Sequence, residues 1–247
     1  MHEAGKCIDN APFFCSAIHI TVWSKIFRTE LLRKFQMNIN DDLQLGEDMA
    51  VVLPVIFNMN NIYISQQTFY HYRVRKSSIN WVRRGYEYQR YLKLLSSLYE
   101  AWNGLWEEWQ RNDRYLIYMI YYYLILCAPE QFMVKNSKLI LFPKIKKADN
   151  IIIYGKGVFA NRLKNCIENI KFCNIIGFFD KMDAFQIKHI PEEAYEYIIV
   201  AITDHSVIES TLILLEGMEI NKSKILYVQK EDLVIENLPI EVQAMIK

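Results

Sequence analysis

Glu47 and Asp48 stand side by side in "LQLGEDMAVVLPVIFNM", Leu43 to Met59, behind a glycine and ahead of a nearly unbroken apolar run. A carboxylate within hydrogen-bond reach of a hydroxyl can take its proton as that hydroxyl attacks an electrophilic carbon. Acids in a first helical turn are also common for stability alone. Consecutive helical residues point about 100° apart, so the two acids cannot face one atom. A helix N-terminus favours the ionised carboxylate, which is the state a base needs.

Two further clusters could bind phosphate. "YHYRVRK" holds His71, Arg73, Arg75 and Lys76. On a strand, Arg73 and Arg75 would share one face. Arginine matches phosphate oxygens in a bidentate way, so the pair could meet a diphosphate. His71 could approach a metal. The bland reading is an exposed edge strand with solvated basic residues. "YGKGVFA" places Gly155, Gly157 and Ala160 in a G-x-G-x-x-A between an apolar run and a helical pattern. The first small residue permits a tight turn, the second lets backbone approach a phosphate, and the third lets helix and strand pack closely. The helix N-terminus offers free N–H groups to an anion. Asp180 ends the next apolar run, near where a ribose-binding acid would sit. His205 follows "AITD" at a strand end, where open sheets bind ligands, or where a polar loop is simply exposed.

The elements that must position these groups follow from periodicity. "WSKIFRTELLRKF" (Trp23 to Phe35) reads as a short amphipathic helix, with Ile26, Phe27, Leu31 and Leu32 at helical spacing. Residues 47–58 read as a second helix, which Pro54 should kink or end early. Asn61 to Arg75 reads as one or two short strands. Residues 81–145 look helical, and "LFPKIKKADN" looks like a linker. After it, "NIIIY", "NIIGFFD", "YIIVAITD" and "KILYV" are β-branched runs separated by helical stretches. That alternation indicates a parallel sheet covered on both faces.

Composition narrows the class. The 247 residues are 52% hydrophobic, which supplies material for packed cores. The formal charge is +1, so nothing global suggests nucleic acid. The odd count of 5 cysteines, without CxxC spacing, argues for free thiols in a reducing cytoplasm. The N-terminus has no basic segment ahead of an apolar core, so no signal peptide is expected. "YLIYMIYYYLILCA" (Tyr115 to Ala128) is shorter than the ~20 residues of a membrane span. It reads as a buried helix, with an aromatic face at a membrane interface as the alternative.

Trp23 to Ile79 resembles the C-terminal half of the catalytic domain of family-2 bacterial glycosyltransferases. The fragments "WSKIFRTELL", "LGEDMAVVLPVIFN", "IYISQQTFYHYRVR" and "SSI" stand in that family's order and spacing. The match covers a quarter of the chain. It implies a GT-A-like lobe in which Asp48 is the base of inverting sugar transfer and Glu47 orients loops or the acceptor. The nucleotide-sugar and a glycan acceptor would be the substrates, with Arg73, Arg75 and His71 as substrate contacts. The family's donor-binding half carries an Asp-x-Asp metal site. Only 22 residues precede Trp23, and no Asp-x-Asp occurs. The expectation is a truncated chain that lacks the donor half, holds no metal of its own and does not turn over a sugar nucleotide alone. Mg or Mn would enter only with the missing half.

The block "IIIYGKG", "IIGFFDK", "YIIVAIT" resembles the nucleotide-binding-like domains appended to bacterial polysaccharide-biosynthesis enzymes and the N-terminal domains of sugar acyltransferases. Such a domain implies a nucleotide bound through Gly155, Gly157, Ala160 and Asp180, or a module that packs against a partner. No catalytic Tyr-x-x-x-Lys of the short-chain reductases follows, which disfavours oxidoreductase chemistry. The expected architecture is α/β: a partial GT-A-like lobe over 1–80, a helical connector over 81–147, and a Rossmann-like parallel-sheet domain over 148–247. The expected setting is bacterial surface-polysaccharide synthesis, in the cytoplasm or peripheral at the inner face of the membrane, with a partner glycosyltransferase chain as a further candidate contact. The competing class is a non-enzymatic nucleotide-binding or partner-binding module.

Overall fold

The computed structural model describes residues 21–37, 39, 43, 46–57, 59, 61–65, 67, 70, 71, 73, 87–101, 117, 120, 121, 123–125, 128–131, 133–135 and 138–246. The protein is mixed α/β. It divides into two compact units, one holding the described residues between 21 and 101, the other those between 117 and 244.

The first unit contains a 3-10 turn at Val22–Ser24, then α1 (Thr29–Gln36), α2 (Glu47–Phe57) and α3 (Glu87–Ala101). The helix expected from Trp23 begins only at Thr29. Side chains before it bond to local backbone instead: Ser24 Oγ donates to the Thr21 carbonyl at 3.1 Å, and Lys25 Nζ donates to the same oxygen at 2.8 Å. Such bonds compete with helical ones. Ile26 therefore lies outside the helix and is 92% exposed.

Gly46 opens α2 in the left-handed region, at φ 71°. The turn needs glycine for conformation, and a Cβ there would also come within 2.8 Å of Leu94 Cδ1 and push that side chain aside. Met49, Ala50, Val52, Leu53, Val55 and Ile56 are all buried, which makes α2 a core helix rather than an amphipathic one. Pro54 does not end it; the helix runs on to Phe57. Proline here removes only the N–H that would have bonded back to the Ala50 carbonyl, and apolar burial on all sides offsets that loss. In the stretch expected to form strands, Ile62 makes an isolated bridge and the other described residues are irregular.

In the second unit, Ile120, Tyr121, Leu124 and Ile125 are helical and buried. Tyr121 donates its hydroxyl proton to the Val234 carbonyl at 2.8 Å, and burial pushes its pKa well up. Among the described residues no helix is long and apolar enough to cross a membrane. A hairpin of β1 (Val134–Lys135) and β2 (Lys138–Leu139) interrupts the stretch read as helical. The main sheet follows: β3 (Asn150–Tyr154), β4 (Asn174–Phe179), β5 (Tyr197–Val200) and β6 (Ile225–Tyr227).

All four strands are parallel, in the order β4-β3-β5-β6. Ile151, Ile152, Ile153 and Tyr154 are buried, as a central parallel strand with both faces covered requires. The register pairs Ile152 with Ile198 and Ile198 with Ile225. Between Ile151 and Ile152 the pairing to β4 slips, so Ile152 faces Gly177. A Cβ on Gly177 would come within 2.4 Å of Phe179 Cε2, so that ring would have to move to admit any side chain here. Helices α4 (Val158–Ile170) and α5 (His205–Gly217) follow β3 and β5, and a short α6 (Ile240–Ile246) comes last. Between β4 and β5 the chain forms a 3-10 helix, Ala184–His189, in place of an α-helix. Cys166 and Cys173 are buried free thiols, and burial pushes them up to about 11 and about 12.

Candidate functional site

In the first unit, Glu47 and Asp48 are the first two residues of α2. Their environments differ: Glu47 is exposed and Asp48 is half-buried, as their angular separation on a helix demands. Lys25 lies within electrostatic reach of Asp48. Burial pulls the Lys25 ammonium down to about 8, and the Asp48 carboxylate pulls it back up by a smaller amount. Lys25 Nζ also donates to Ser24 Oγ at 2.9 Å, so its head group is held at the 3-10 turn. Trp23 stacks on Tyr70, with ring centroids 5.2 Å apart and planes inclined by 28°. The unit thus gathers the "WSK" turn, the start of α2 and Tyr70 from three separate parts of the chain. His71 and Arg73 are exposed in irregular backbone, and Arg75 lies outside the described residues.

In the second unit, Gly155 follows β3 at φ 115°, a conformation that disfavours any residue with a Cβ. An added Cβ would sit 3.0 Å from the Ala201 carbonyl oxygen. The turn is anchored on both sides: Gly155 N–H donates to Phe179 O at 2.7 Å, and Ala201 N–H donates to Tyr154 O at 2.8 Å. Gly157 behaves differently. Its φ of −72° suits any residue, and an added Cβ would meet nothing within 4 Å. Neither conformation nor packing asks for glycine there. Asn161 Nδ2 donates to the carbonyls of Lys156 and Gly157 at 2.8 and 2.9 Å, tying the turn to the first turn of α4. Ala160 is fully buried on α4, which lies against β3 and β4.

Asp180 directly follows β4, and one of its carboxylate oxygens accepts the Met182 N–H at 2.9 Å. Its own N–H donates to Asp183 Oδ1 at 2.6 Å. Asp183 also pairs with Lys156 at 2.5 Å, across the mouth of the glycine turn. The Asp180 N–H, and after it the Lys156 ammonium, hold the Asp183 carboxyl below its ordinary value, while Asp183 raises Lys156. Tyr154 is buried within electrostatic reach of Asp180 and Asp183. Burial, then the Asp180 charge, pushes its pKa up, against a hydrogen bond with Thr211.

The two helix N-termini at this edge of the sheet differ in one respect. Asp204 caps α5 with its own carboxylate, accepting Ser206 N–H at 2.9 Å and Val207 N–H at 3.4 Å. Gly157 caps α4 with no side chain. His205 begins α5. Sequence spacing did not reveal the Lys156–Asp183 pair; the only available signal was a lysine between the two glycines. Among the described residues no group of three or more His, Cys, Asp or Glu could hold a metal ion. No family model matches the chain, and no curated protein or solved structure matches it significantly.

Proposed function

We propose that this is a glycosyltransferase-like protein of bacterial surface-polysaccharide biosynthesis, in which the first unit is the acceptor side of a GT-A-like lobe. The reaction is transfer of a sugar from a nucleotide-sugar to an acceptor hydroxyl. Asp48 takes the hydroxyl proton as the oxygen attacks the anomeric carbon, and the nucleoside diphosphate leaves with the electron pair of the broken bond. Glu47, exposed on the neighbouring face of α2, orients the acceptor or the loops around it. The observation that carries this reading is the meeting of Trp23, Lys25, Asp48 and Tyr70 in one unit. Those are the fragments on which the family resemblance rests. The 247 residues contain no Asp-x-Asp, so a divalent metal and the donor nucleotide need a surface other than these fragments.

The test is a chromosomal Asp48→Asn replacement in the source organism, followed by sugar analysis of the surface polysaccharide. Loss of the polysaccharide, or of one sugar from its repeat, is the expected result. An unchanged composition contradicts the reading.

A second reading concerns the Rossmann-like second unit: a module that binds a nucleotide, or a partner, without catalysis. It is favoured by the contrast between the self-capped α5 and the uncapped α4, whose Gly157 has open space above it. Calorimetry with UDP-sugars and NAD on wild type and Gly157→Val tests it. Binding lost in the variant supports a nucleotide site, and unchanged binding removes the glycine turn as that site.

A further inference from the structure

We propose that the stacked rings of Trp23 and Tyr70 form a platform that receives a pyranose ring of the glycan acceptor, beside Asp48. The proposal rests on the sugar-transfer reading of the first unit. Although the rings lie 5.2 Å apart and cover one another in part, Trp23 remains 39% exposed and Tyr70 51% exposed. The pair is therefore a broad aromatic surface rather than a core contact. Its indole stands on a turn closed by local hydrogen bonds, from Ser24 Oγ and Lys25 Nζ to the Thr21 carbonyl and from the Lys25 N–H to the Val22 carbonyl at 3.0 Å. A ring on a closed turn loses little freedom when a ligand lands on it.

The surroundings identify the ligand. Two residues beyond the indole, Lys25 lies within electrostatic reach of Asp48, and the Thr21 and Ser24 hydroxyls sit 3.0 Å apart in the same turn. An apolar aromatic face is thus joined to hydroxyl, ammonium and carboxylate groups. A pyranose has the matching surface: its axial C–H bonds form an apolar face that rests on a ring, and its hydroxyls reach polar groups at the rim. An acyl chain or a protein interface core would call for contiguous apolar area with charge excluded.

Saturation-transfer NMR on the whole chain, with the methyl β-glycosides of glucose, galactose and N-acetylglucosamine, tests the platform. Saturation of the aromatic protons is expected to reach the ring C–H protons of at least one glycoside. Trp23→Ala and Tyr70→Ala should each weaken the apparent affinity by up to about tenfold, while Tyr70→Phe, which keeps the ring, should leave it unchanged. If Trp23→Ala fails to fold by circular dichroism, the half-exposed Tyr70→Ala decides alone. No saturation with the wild type overturns the platform, as does equal saturation in a folded Tyr70→Ala. A wild type that binds no glycoside but self-associates through these rings, and dissociates in Tyr70→Ala on sedimentation, overturns it in favour of a protein interface. The two readings fail separately. Glycoside binding lost in Tyr70→Ala with an unchanged polysaccharide in Asp48→Asn keeps the platform and sinks the transfer reading. The reverse pattern sinks the platform alone.

Discussion

Lys25 links burial to charge beside the candidate base. Its ammonium is pulled from 10.5 to about 8, with burial outweighing the attraction of Asp48. Between those values the unfolded chain keeps a proton that the folded chain has released, so stability rises with pH across that window. Below about 8 both states are protonated and the cost of burying the charge is fully present; above 10.5 it is gone. Urea unfolding at a series of pH values should therefore show the wild type gaining stability on Lys25→Met between about pH 8 and 10. A difference between the two that stays flat over that range contradicts this account of Lys25. At neutral pH the Lys25 group is still a cation within electrostatic reach of Asp48, whereas Glu47 is exposed on the next face of α2.

At the scale of elements, the glycine turn separates two roles that one motif suggests. Gly155→Ala should cost about 1–3 kcal/mol, because the turn holds φ where a Cβ is strained. Gly157→Ala should cost only about 0.5 kcal/mol, the loss of glycine's preference over alanine at an N-cap. Thermal unfolding of both variants checks this, and equal losses would contradict it. The loop after β4 gives a second contrast. Asp183 binds the Asp180 N–H as well as Lys156, so Asp183→Ala should lower the melting temperature more than Lys156→Ala does. Because the folded Asp183 carboxyl is held low, its contribution is present above the ordinary carboxylate range and fades as pH falls through the lowered value. The advantage of wild type over Asp183→Ala should shrink in acid; an advantage that grows there would count against it. The four strands of the main sheet were legible because β-branched runs bounded by turn residues have few alternatives. The hairpin β1–β2 was not, since two-residue strands leave no periodicity to read. The late start of α1 was hidden because Ile26 and Phe27 keep helical spacing while Ser24 and Lys25 bond to Thr21 instead.

At the scale of the molecule, the two units carry the two functional readings separately. The first holds the candidate base, and the second holds the glycine turn at the carboxyl end of the central strand β3. The sequence showed the order of the "WSK", "GED" and "YHYRVR" fragments, but not that Trp23 meets Tyr70. That contact depends on how the chain between them folds, and no local spacing encodes it. The Lys156–Asp183 pair was hidden for the same reason, since it exists only because β4 lies beside β3. The central claim is that Asp48, and not its neighbour, is a base. Transfer of labelled sugar from UDP-, GDP- and dTDP-sugars, with Mg or Mn, in membranes from the source organism measures it directly. With folding verified by circular dichroism, Asp48→Asn should lower the rate by about 10²-fold or more, and Glu47→Gln by less than about tenfold. Wild-type transfer by Asp48→Asn, or an equal loss in Glu47→Gln, would contradict the claim.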